Sequence, residues 1–279
     1  MAEPLGLDEV RRALAEDRAS EDASTRLLGS AAESPGHARF IAEGRLVVAG
    51  LPVVAATFRA LDPSGETSPV VSEGQWAVPG TTIATARASA RALLAGERVA
   101  LNFLQHLSGV ATITRQAVDA VAGTSAKITH TRKTTPGLRA LELYAVRTGG
   151  GVENRASLAD AVMWKDNHWE LLRAHKRSLS AVLRGAPPGL PIIVEVESEE
   201  QLDTALAAGV RHVLIDNQTP ERLAAWARRA GPGVTIQASG GITPQTARAY
   251  ADAGASLIAI GMLTHSAPAA PIRCDVTAG

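Results

Sequence analysis

The second half of the chain repeats one pattern, in which a short apolar run is followed by a polar or glycine-containing turn and then by a helical segment. The six runs, between residues 126 and 260, are AKIT, ADAVMW, LPIIVEV, RHVLI, VTIQA and SLIAI. Continuous apolar strands that alternate with helices are typical of a parallel sheet covered on both faces. The pattern therefore predicts six parallel strands, arranged either as an open doubly wound sheet or as a (β/α) barrel.

The residues that follow the strands favour the barrel. They are Arg132, Lys133, Lys165, Asp166, Glu195, Asp216, Asn217, Ser239, Gly240, Gly241 and Gly261. In a (β/α) barrel the carboxyl ends of the strands converge on one face and carry the active site, and phosphate is often bound by the loops after the last two strands. Six strands are fewer than the eight of a complete barrel, so the sequence predicts an incomplete one.

The first part of the chain has a different pattern of apolar and polar residues. Strand-like pieces such as ARFIAEGRLVVAG alternate with glycine and proline after an N-terminal helical stretch, which predicts an α+β unit over residues 1–108. The barrel is then assigned to residues 109–265. A long amphipathic pattern over residues 81–121 predicts two consecutive helices that are divided around Ser108 and Gly109.

Bulk composition excludes several classes of protein. The formal net charge is +0, so no global charge attracts the chain to nucleic acid or to a membrane surface. The single cysteine, Cys274, excludes an internal disulfide framework and favours a reducing compartment. The N-terminal sequence has no signal-peptide core, and no stretch approaches the ~18 apolar residues of a membrane span. We expect a soluble cytoplasmic protein.

The four lysines of the chain are unevenly placed, and three of them fall between Lys127 and Lys165. A lysine ammonium is a compact charge suited to reacting centres, although chance clustering on the surface is the alternative. Residues 127–165 contain seven Lys plus Arg and three acids, a local surplus of four positive charges. This segment predicts a polyanionic ligand.

Two carboxylates and a glycine pair suggest how such a ligand is bound. Glu195 and Asp216 each end an apolar strand and could hold Mg²⁺ bridged to a diphosphate, or could simply form salt bridges. Gly240 and Gly241, before a helical stretch predicted to start at Thr243, could admit a phosphate or form an ordinary turn. The residues alone allow a phosphosugar isomerase, an aldolase or a phosphoribosyltransferase.

A family resemblance narrows these classes. The strings that carry it, in this order, are GERVALNFLQHLSGVAT, THTRKTTPGLRALELYAVRTGGG, MWKDNH, HVLIDN, QASGGI and GMLTHS. They resemble the quinolinate phosphoribosyltransferase family, also called carboxylating nicotinate-nucleotide pyrophosphorylase, over nearly the whole chain. The resemblance implies an N-terminal α/β sandwich, completed by residues 266–279, and an incomplete (β/α) barrel. It also implies a homodimer, or a higher oligomer, in which the sandwich of one subunit closes the active site of its partner.

The family reaction joins the ring nitrogen of quinolinate to C1 of phosphoribosyl pyrophosphate (PRPP), with loss of diphosphate and CO₂, and gives nicotinate mononucleotide. The resemblance implies that the pyridine carboxylates are gripped by Arg98, Arg132, Arg155 and Lys165. It implies that the 5′-phosphate is bound by Ser239, Gly240 and Gly261. Lys133 would offset charge on the diphosphate, and Glu195 and Asp216 would hold Mg²⁺ or the ribose hydroxyls.

The sequence departs from the family pattern at four positions. Asn154 stands where the family has a substrate-contacting histidine, and Glu153 places an acid beside it. Gln237 and Ile193 stand where glutamates are usual. We therefore predict an intact phosphoribosyl half of the site and an altered acceptor half that includes Asn154.

Quinolinate is the expected acceptor. The first alternative is a diverged paralogue that phosphoribosylates another pyridine or aromatic acid, with or without decarboxylation. A second is a phosphosugar aldolase that uses Lys133 or Lys165 as a Schiff base. A non-catalytic binding protein comes last.

Overall fold

A computed structural model describes residues 5–279. The helices are α1 (Leu7–Glu16), α2 (Ala23–Arg26), α3 (Leu51–Leu61), α4 (Ala90–Ala120), α5 (Arg139–Thr148), α6 (Asp166–Ala174), α7 (Leu179–Leu183), α8 (Glu199–Ala207), α9 (Pro220–Ala230), α10 (Ala247–Asp252) and α11 (Met262–His265). The strands are β1 (Pro35–Ala42), β2 (Leu46–Val47), β3 (Glu66–Pro69), β4 (Trp76–Ala77), β5 (Thr82–Ser89), β6 (Lys127–Thr129), β7 (Val162–Trp164), β8 (Ile192–Val196), β9 (His212–Asp216), β10 (Thr235–Ser239), β11 (Leu257–Ala259) and β12 (Ile272–Ala278). Short 3-10 helices cover Ala19–Glu21 and Gly29–Glu33.

The contacts of the chain divide it into two compact units. The first contains the described residues up to Arg115, together with Thr134–Gly150 and Ser266–Gly279. The second contains Gln116–Lys133 and Gly151–His265. The domain boundary that the sequence predicts at residue 108 stays a prediction.

The first unit is built on an antiparallel sheet in the order β12-β1-β5-β3. Strand β12 pairs with β1 along its length, from Gly36 opposite Ala278 to Ala42 opposite Ile272. The last strand of the chain thus belongs to the same sheet as the first. Side chains of this sheet and of α3 form a buried core, in which the rings of Phe40 and Phe58 are 6.1 Å apart. Strands β2 and β4 form a separate antiparallel pair.

Helix α4 corrects the prediction of a break at Ser108 and Gly109. It runs without interruption from Ala90 to Ala120. The Ser108 hydroxyl donates to the Ala49 carbonyl and accepts from the Ala49 N–H, each at 3.1 Å. A Cβ at Gly109 would lie 2.1 Å from the carbonyl oxygen of Pro268. The two residues are therefore explained by close packing against other segments, and not by the end of a helix.

This close approach predicts that Gly109→Ala destabilises the protein. The added methyl group meets backbone, which must shift, and overpacking of this kind costs about 1–3 kcal/mol in the free energy of unfolding. Gly96→Ala is the comparison variant in the same helix, because its Cβ would meet side chains and not backbone, those of Leu61 at 2.9 Å and Phe58 at 3.2 Å. Urea unfolding should show a larger loss for residue 109 than for residue 96. Equal effects would contradict this explanation.

The second unit contains all six predicted parallel strands, in the order β6-β11-β10-β9-β8-β7. The last strand of the series, β11, pairs back onto the first, β6, while β7 to β11 are neighbours in chain order. This is the strand order of a (β/α) barrel that is opened between β6 and β7. A parallel bridge between Thr129 and Val152 lies on the β6 side of that opening.

The helix predicted to start at Thr243 begins four residues later, at Ala247, because residues 244–246 form a turn. Among residues 5–279, none of the helices has both the length and the apolar character needed to cross a membrane.

Candidate active site

A cavity of about 300 Å³ lies in the second unit. Its lining residues are Thr131, Arg132, Lys133, Asn154, Arg155, Met163, Lys165, Glu195, Leu214, Asp216, Gln237, Ser239 and Ala259. Several of them stand at, or directly after, the carboxyl ends of the parallel strands, which is where the active sites of (β/α) barrels form. The lining carries four cationic side chains and two carboxylates, so its charge is suited to an anionic ligand.

Most of the site residues predicted from the sequence lie together in this lining. The three that do not are Arg98, Gly240 and Gly261. Arg98 is exposed on α4 within the first unit. Gly261 is next to the lining, because a Cβ there would lie 3.4 Å from Cδ of Lys133 and 3.1 Å from Nε2 of His265.

The ion pair between Lys165 and Glu195 links the end of β7 to the neighbouring strand β8 within the cavity lining. Lys165 Nζ donates to Glu195 Oε2. Glu195 is only 6% exposed, and burial raises the pKa of its carboxyl above the ordinary value while the bond from Lys165 acts in the opposite direction. The negative charge of Asp216 contributes to the rise in the Glu195 pKa. A carboxylate held in this way is attracted to any further cation that enters the cavity.

Two guanidinium groups repel each other at the opening between β6 and β7. Partial burial, and next the positive charge of Arg132, lower the pKa of Arg155. Both side chains line the cavity. Like charges held close in a poorly solvated place are stabilised by an anion between them, so this pair is suited to a carboxylate or phosphate.

Asp216 is oriented by its neighbour in the chain. Asn217 Nδ2 donates to Asp216 Oδ2 at 2.6 Å, and Asn217 adopts a left-handed conformation with φ of 53°. Gly240 packs directly on it, since a Cβ at residue 240 would lie 2.2 Å from Asn217 Oδ1. Gly240 also has φ of 97°, which favours glycine. Its glycine identity thus has a structural cause in addition to any role in binding phosphate.

Asn154 lines the cavity, but its amide group is engaged with the backbone. Nδ2 donates to the carbonyl of His130 at 3.2 Å, and Oδ1 accepts from the N–H of Arg155 at 2.8 Å. The N–H of Asn154 donates to Nε2 of the buried His130 ring at 3.0 Å. Asn154 therefore fixes the segment that carries Arg155. Glu153 is exposed and is not among the lining residues.

Five lining residues were not among the site residues predicted from the sequence, although Gln237 was noted as a departure from the family pattern, and the five share one property. Each lies two positions before a predicted site residue: Thr131, Met163, Leu214, Gln237 and Ala259. All of them except Thr131 lie in strands, where side chains alternate between faces, so residues i and i−2 point the same way. This period of two could have identified those four.

The number of carboxylates in the cavity decides whether the predicted Mg²⁺ fits the site. Within residues 5–279, no cluster of three or more His, Cys, Asp or Glu could hold a metal ion. The cavity instead offers Glu195 and Asp216. Mg²⁺ commonly binds one or two carboxylates and takes its remaining ligands from water and substrate phosphates. The donor set therefore fits an ion shared with a phosphorylated substrate, and does not fit one held by the protein alone.

A larger groove of about 690 Å³ occurs in the first unit, beside α1 and α3. Its lining is mostly leucine and alanine, with Arg11 and Arg59 as its charged residues. Among residues 5–279, the lining of this groove contains no carboxylate, whereas the cavity of the second unit contains the ion pair between Lys165 and Glu195. We therefore assign the active site to the smaller cavity.

Two profiles of one known protein family together match most of the chain. The profile of the quinolinate phosphoribosyl transferase C-terminal domain matches residues 110–275. The profile of the corresponding N-terminal domain matches residues 22–108.

Individual proteins agree with these profiles. A probable nicotinate-nucleotide pyrophosphorylase [carboxylating] from Synechocystis is 41% identical over 248 residues, which are 88% of this chain and 83% of that protein. The nicotinate-nucleotide pyrophosphorylase [carboxylating] of Mycobacterium leprae is 45% identical over 74% of this chain and 73% of its own length. A crystal structure of NadC from Streptococcus pyogenes superposes with a TM-score of 0.90 at 33% identity and covers 100% of both chains.

Proposed function

The chain belongs to the quinolinate phosphoribosyltransferase family, and from this membership and the cavity of the second unit we propose that it makes nicotinate mononucleotide from quinolinate and PRPP. The observation that carries the proposal is the lining of one cavity by four cations, two carboxylates and a strand-end serine. Two polyanionic substrates need such a surplus of positive charge, and a pentosyl transfer needs carboxylates near the sugar. The enzyme is a pentosyltransferase.

The first chemical step breaks the bond between C1 of the ribose and the diphosphate oxygen, and the ring nitrogen of quinolinate forms the new bond to C1. Positive charge develops on the sugar in the transition state, and negative charge on the leaving diphosphate. Glu195 and Asp216 stabilise the sugar, whereas Lys133 stabilises the diphosphate. Groups that are already oriented before the reaction stabilise such charges most effectively.

The predicted Mg²⁺ would be held by Glu195 and Asp216 together with oxygens of PRPP. When bound, it would supply positive charge that neutralises the departing diphosphate. The fit of this donor set to a substrate-shared ion supports the proposal of a magnesium-dependent enzyme.

The second step releases CO₂ from position 2 of the ring. The electron pair of the broken carbon–carbon bond stays on C2, where the positive charge of the adjacent quaternised ring nitrogen stabilises it, and protonation of C2 completes the product. Arg132, Arg155 and Lys165 would hold the carboxylates during both steps. The repulsion between the two guanidiniums supports their assignment to an anionic acceptor.

Incubation with PRPP and a panel of aromatic acids tests this proposal. We expect nicotinate mononucleotide from quinolinate, detected by chromatography and mass spectrometry. A nucleotide formed only from another acid would replace quinolinate by that acceptor, as in the diverged paralogue that Asn154 and Gln237 suggest. No nucleotide from any acid would contradict the proposed function.

A Schiff base at Lys165 is disfavoured by the local chemistry. A lysine nucleophile must be an uncharged amine, whereas Lys165 donates to the buried carboxylate of Glu195. Borohydride should therefore trap no covalent adduct between Lys165 and a phosphosugar.

The homodimer predicted from the resemblance is tested by subunit mixing. If Arg98 serves the active site of the partner, Arg98→Ala and Lys165→Ala proteins should each be inactive, and their mixture should regain activity through hybrid dimers. A hybrid contains one site with both residues intact, so about a quarter of native activity is expected from random exchange. No recovery after demonstrated subunit exchange would place Arg98 in the site of its own subunit. The predicted cytoplasmic location stays a prediction.

A further inference from the structure

Lys133 lies in a segment of irregular backbone between β6 and α5. A lysine carries its charge at the end of a flexible four-carbon stem, so the place of the charge depends on how firmly the backbone beneath it is held. Backbone groups outside helices and strands are held by side chains or by water. The hydrogen bonds of the Lys133 backbone therefore determine where its ammonium can lie.

Two threonine hydroxyls hold that backbone. The N–H of Lys133 donates to Thr131 Oγ1 at 3.1 Å, within the same segment. The carbonyl of Lys133 accepts from Thr264 Oγ1 at 2.7 Å, although Thr264 is 131 positions away, in α11. The second bond joins the segment of Lys133 to the helical turn after β11, and both residues belong to the second unit.

The hydrogen bond from Thr264 is buried. Thr264 is only 2% exposed, so water competes little for its hydroxyl. The carbonyl oxygen of Gly261 also lies 3.2 Å from Oγ1, but it already accepts from the N–H of Thr264 at 3.2 Å. A hydroxyl has one proton to donate, and the shorter contact assigns it to Lys133.

Thr264 is thus bonded to both residues that the proposed reaction assigns to phosphate groups of PRPP. Gly261 is assigned to the 5′-phosphate, and Lys133 to the diphosphate. The side chain of Lys133 passes beside this glycine, since a Cβ at residue 261 would lie 3.4 Å from Lys133 Cδ. One buried threonine therefore fixes the backbone of the lysine against the turn that begins at Gly261.

We propose that Thr264 is a positioning residue that holds Lys133 where its ammonium meets the leaving diphosphate. This inference rests on the proposed function and on the role of Lys133 in it. Thr264 acts through the backbone of Lys133 and not on the substrate. A misplacement of about 1 Å can lower a rate about a hundred-fold. Because the bond to Thr131 remains, we expect a smaller loss, of about ten-fold, without the Thr264 hydroxyl.

Two substitutions separate the hydroxyl of Thr264 from its shape. Thr264→Val keeps the size of the side chain and removes the donor, and it should lower kcat about ten-fold while the Kd of quinolinate stays native. Thr264→Ser keeps the donor and should keep most of the native kcat. Thr57→Val is the matched control, because the fully buried Thr57 hydroxyl also donates to a backbone carbonyl, that of Val53, at 2.9 Å. It should lose thermal stability as Thr264→Val does, but keep native kcat.

A double-mutant cycle with Lys133→Ala tests whether Thr264 acts through the lysine. Steady-state kinetics give the kcat of each protein, and thermal unfolding shows that each is folded. The proposal predicts that Thr264→Val lowers kcat about ten-fold in the native background and leaves it unchanged in the Lys133→Ala background.

An equal loss of kcat in both backgrounds would give Thr264 a structural role only and overturn the proposal. Native kcat in Thr264→Val would overturn it too, as would a loss in Thr264→Ser as large as that in Thr264→Val. A native protein that makes no nucleotide from PRPP and any aromatic acid would instead contradict the proposed function itself.

Discussion

Replacing Lys133 with alanine is expected to lower kcat by about a hundred-fold or more while changing the Kd of quinolinate little. Lys133 lines the cavity, and its side chain lies against Gly261 at the end of the barrel where phosphate is expected. We assign its charge to the leaving diphosphate, whose negative charge is greatest after the bond to C1 has begun to break. A contact that strengthens in the transition state affects kcat more than it affects binding of the ground state.

Steady-state kinetics give kcat, and calorimetry on the same preparation gives the Kd of quinolinate. Lys127→Ala is a suitable control, because Lys127 is an exposed lysine at the start of β6 and is not among the lining residues. It should keep native kcat. If Lys133→Ala also keeps native kcat, Lys133 has no part in the departure of diphosphate.

Replacing Glu195 with glutamine is expected to lower kcat by about a hundred-fold to a thousand-fold, on the scale for loss of one preorganised charge beside the reacting centre. The substitution keeps the shape of the side chain and removes the negative charge that Lys165 now balances. It also removes one of the two carboxylates proposed to share Mg²⁺ with PRPP.

The same substitution should leave the free protein at least as stable as the native one. The folded-state pKa of Glu195 is raised, so ionising this carboxyl at neutral pH costs the folded state free energy. That cost is absent below the pKa of the unfolded chain and fully present above the raised pKa. Glutamine is neutral throughout, so the thermal midpoint of Glu195→Gln at neutral pH should equal or exceed the native value. A large loss of stability together with native kcat would show that the carboxylate has a structural role only.

The strands of the second unit could be predicted from the sequence because their signal is local. Runs such as LPIIVEV and RHVLI are mostly apolar; β8 lies within the first, and β9 begins in the second and ends one residue after it. The division predicted in α4 was wrong, because a serine and a glycine within a helix resemble a helix end. Only the distant segments at Ala49 and Pro268 explain why these two residues occur there.

The residues at the strand ends of the site could be predicted from the sequence, but their hydrogen-bond partners could not. Strand ends identified Lys165, Glu195 and Asp216, since the topology of a barrel brings such positions together. The hydrogen bond between Asn154 and His130 joins residues 24 positions apart, and the one between Gln237 and His212 joins residues 25 positions apart. No local sequence pattern predicts either of them. Pairings of this kind depend on strand register, which the three-dimensional structure supplies.

We infer that one cavity couples phosphoribosyl transfer to decarboxylation. The most direct measurement uses quinolinate labelled in its 2-carboxylate, with PRPP and Mg²⁺, and quantifies released CO₂, diphosphate and nicotinate mononucleotide in the same reaction. The three should appear in a ratio of one to one to one, and omission of PRPP should abolish all of them. Diphosphate release without labelled CO₂, or with a product that keeps the label, would contradict the claim.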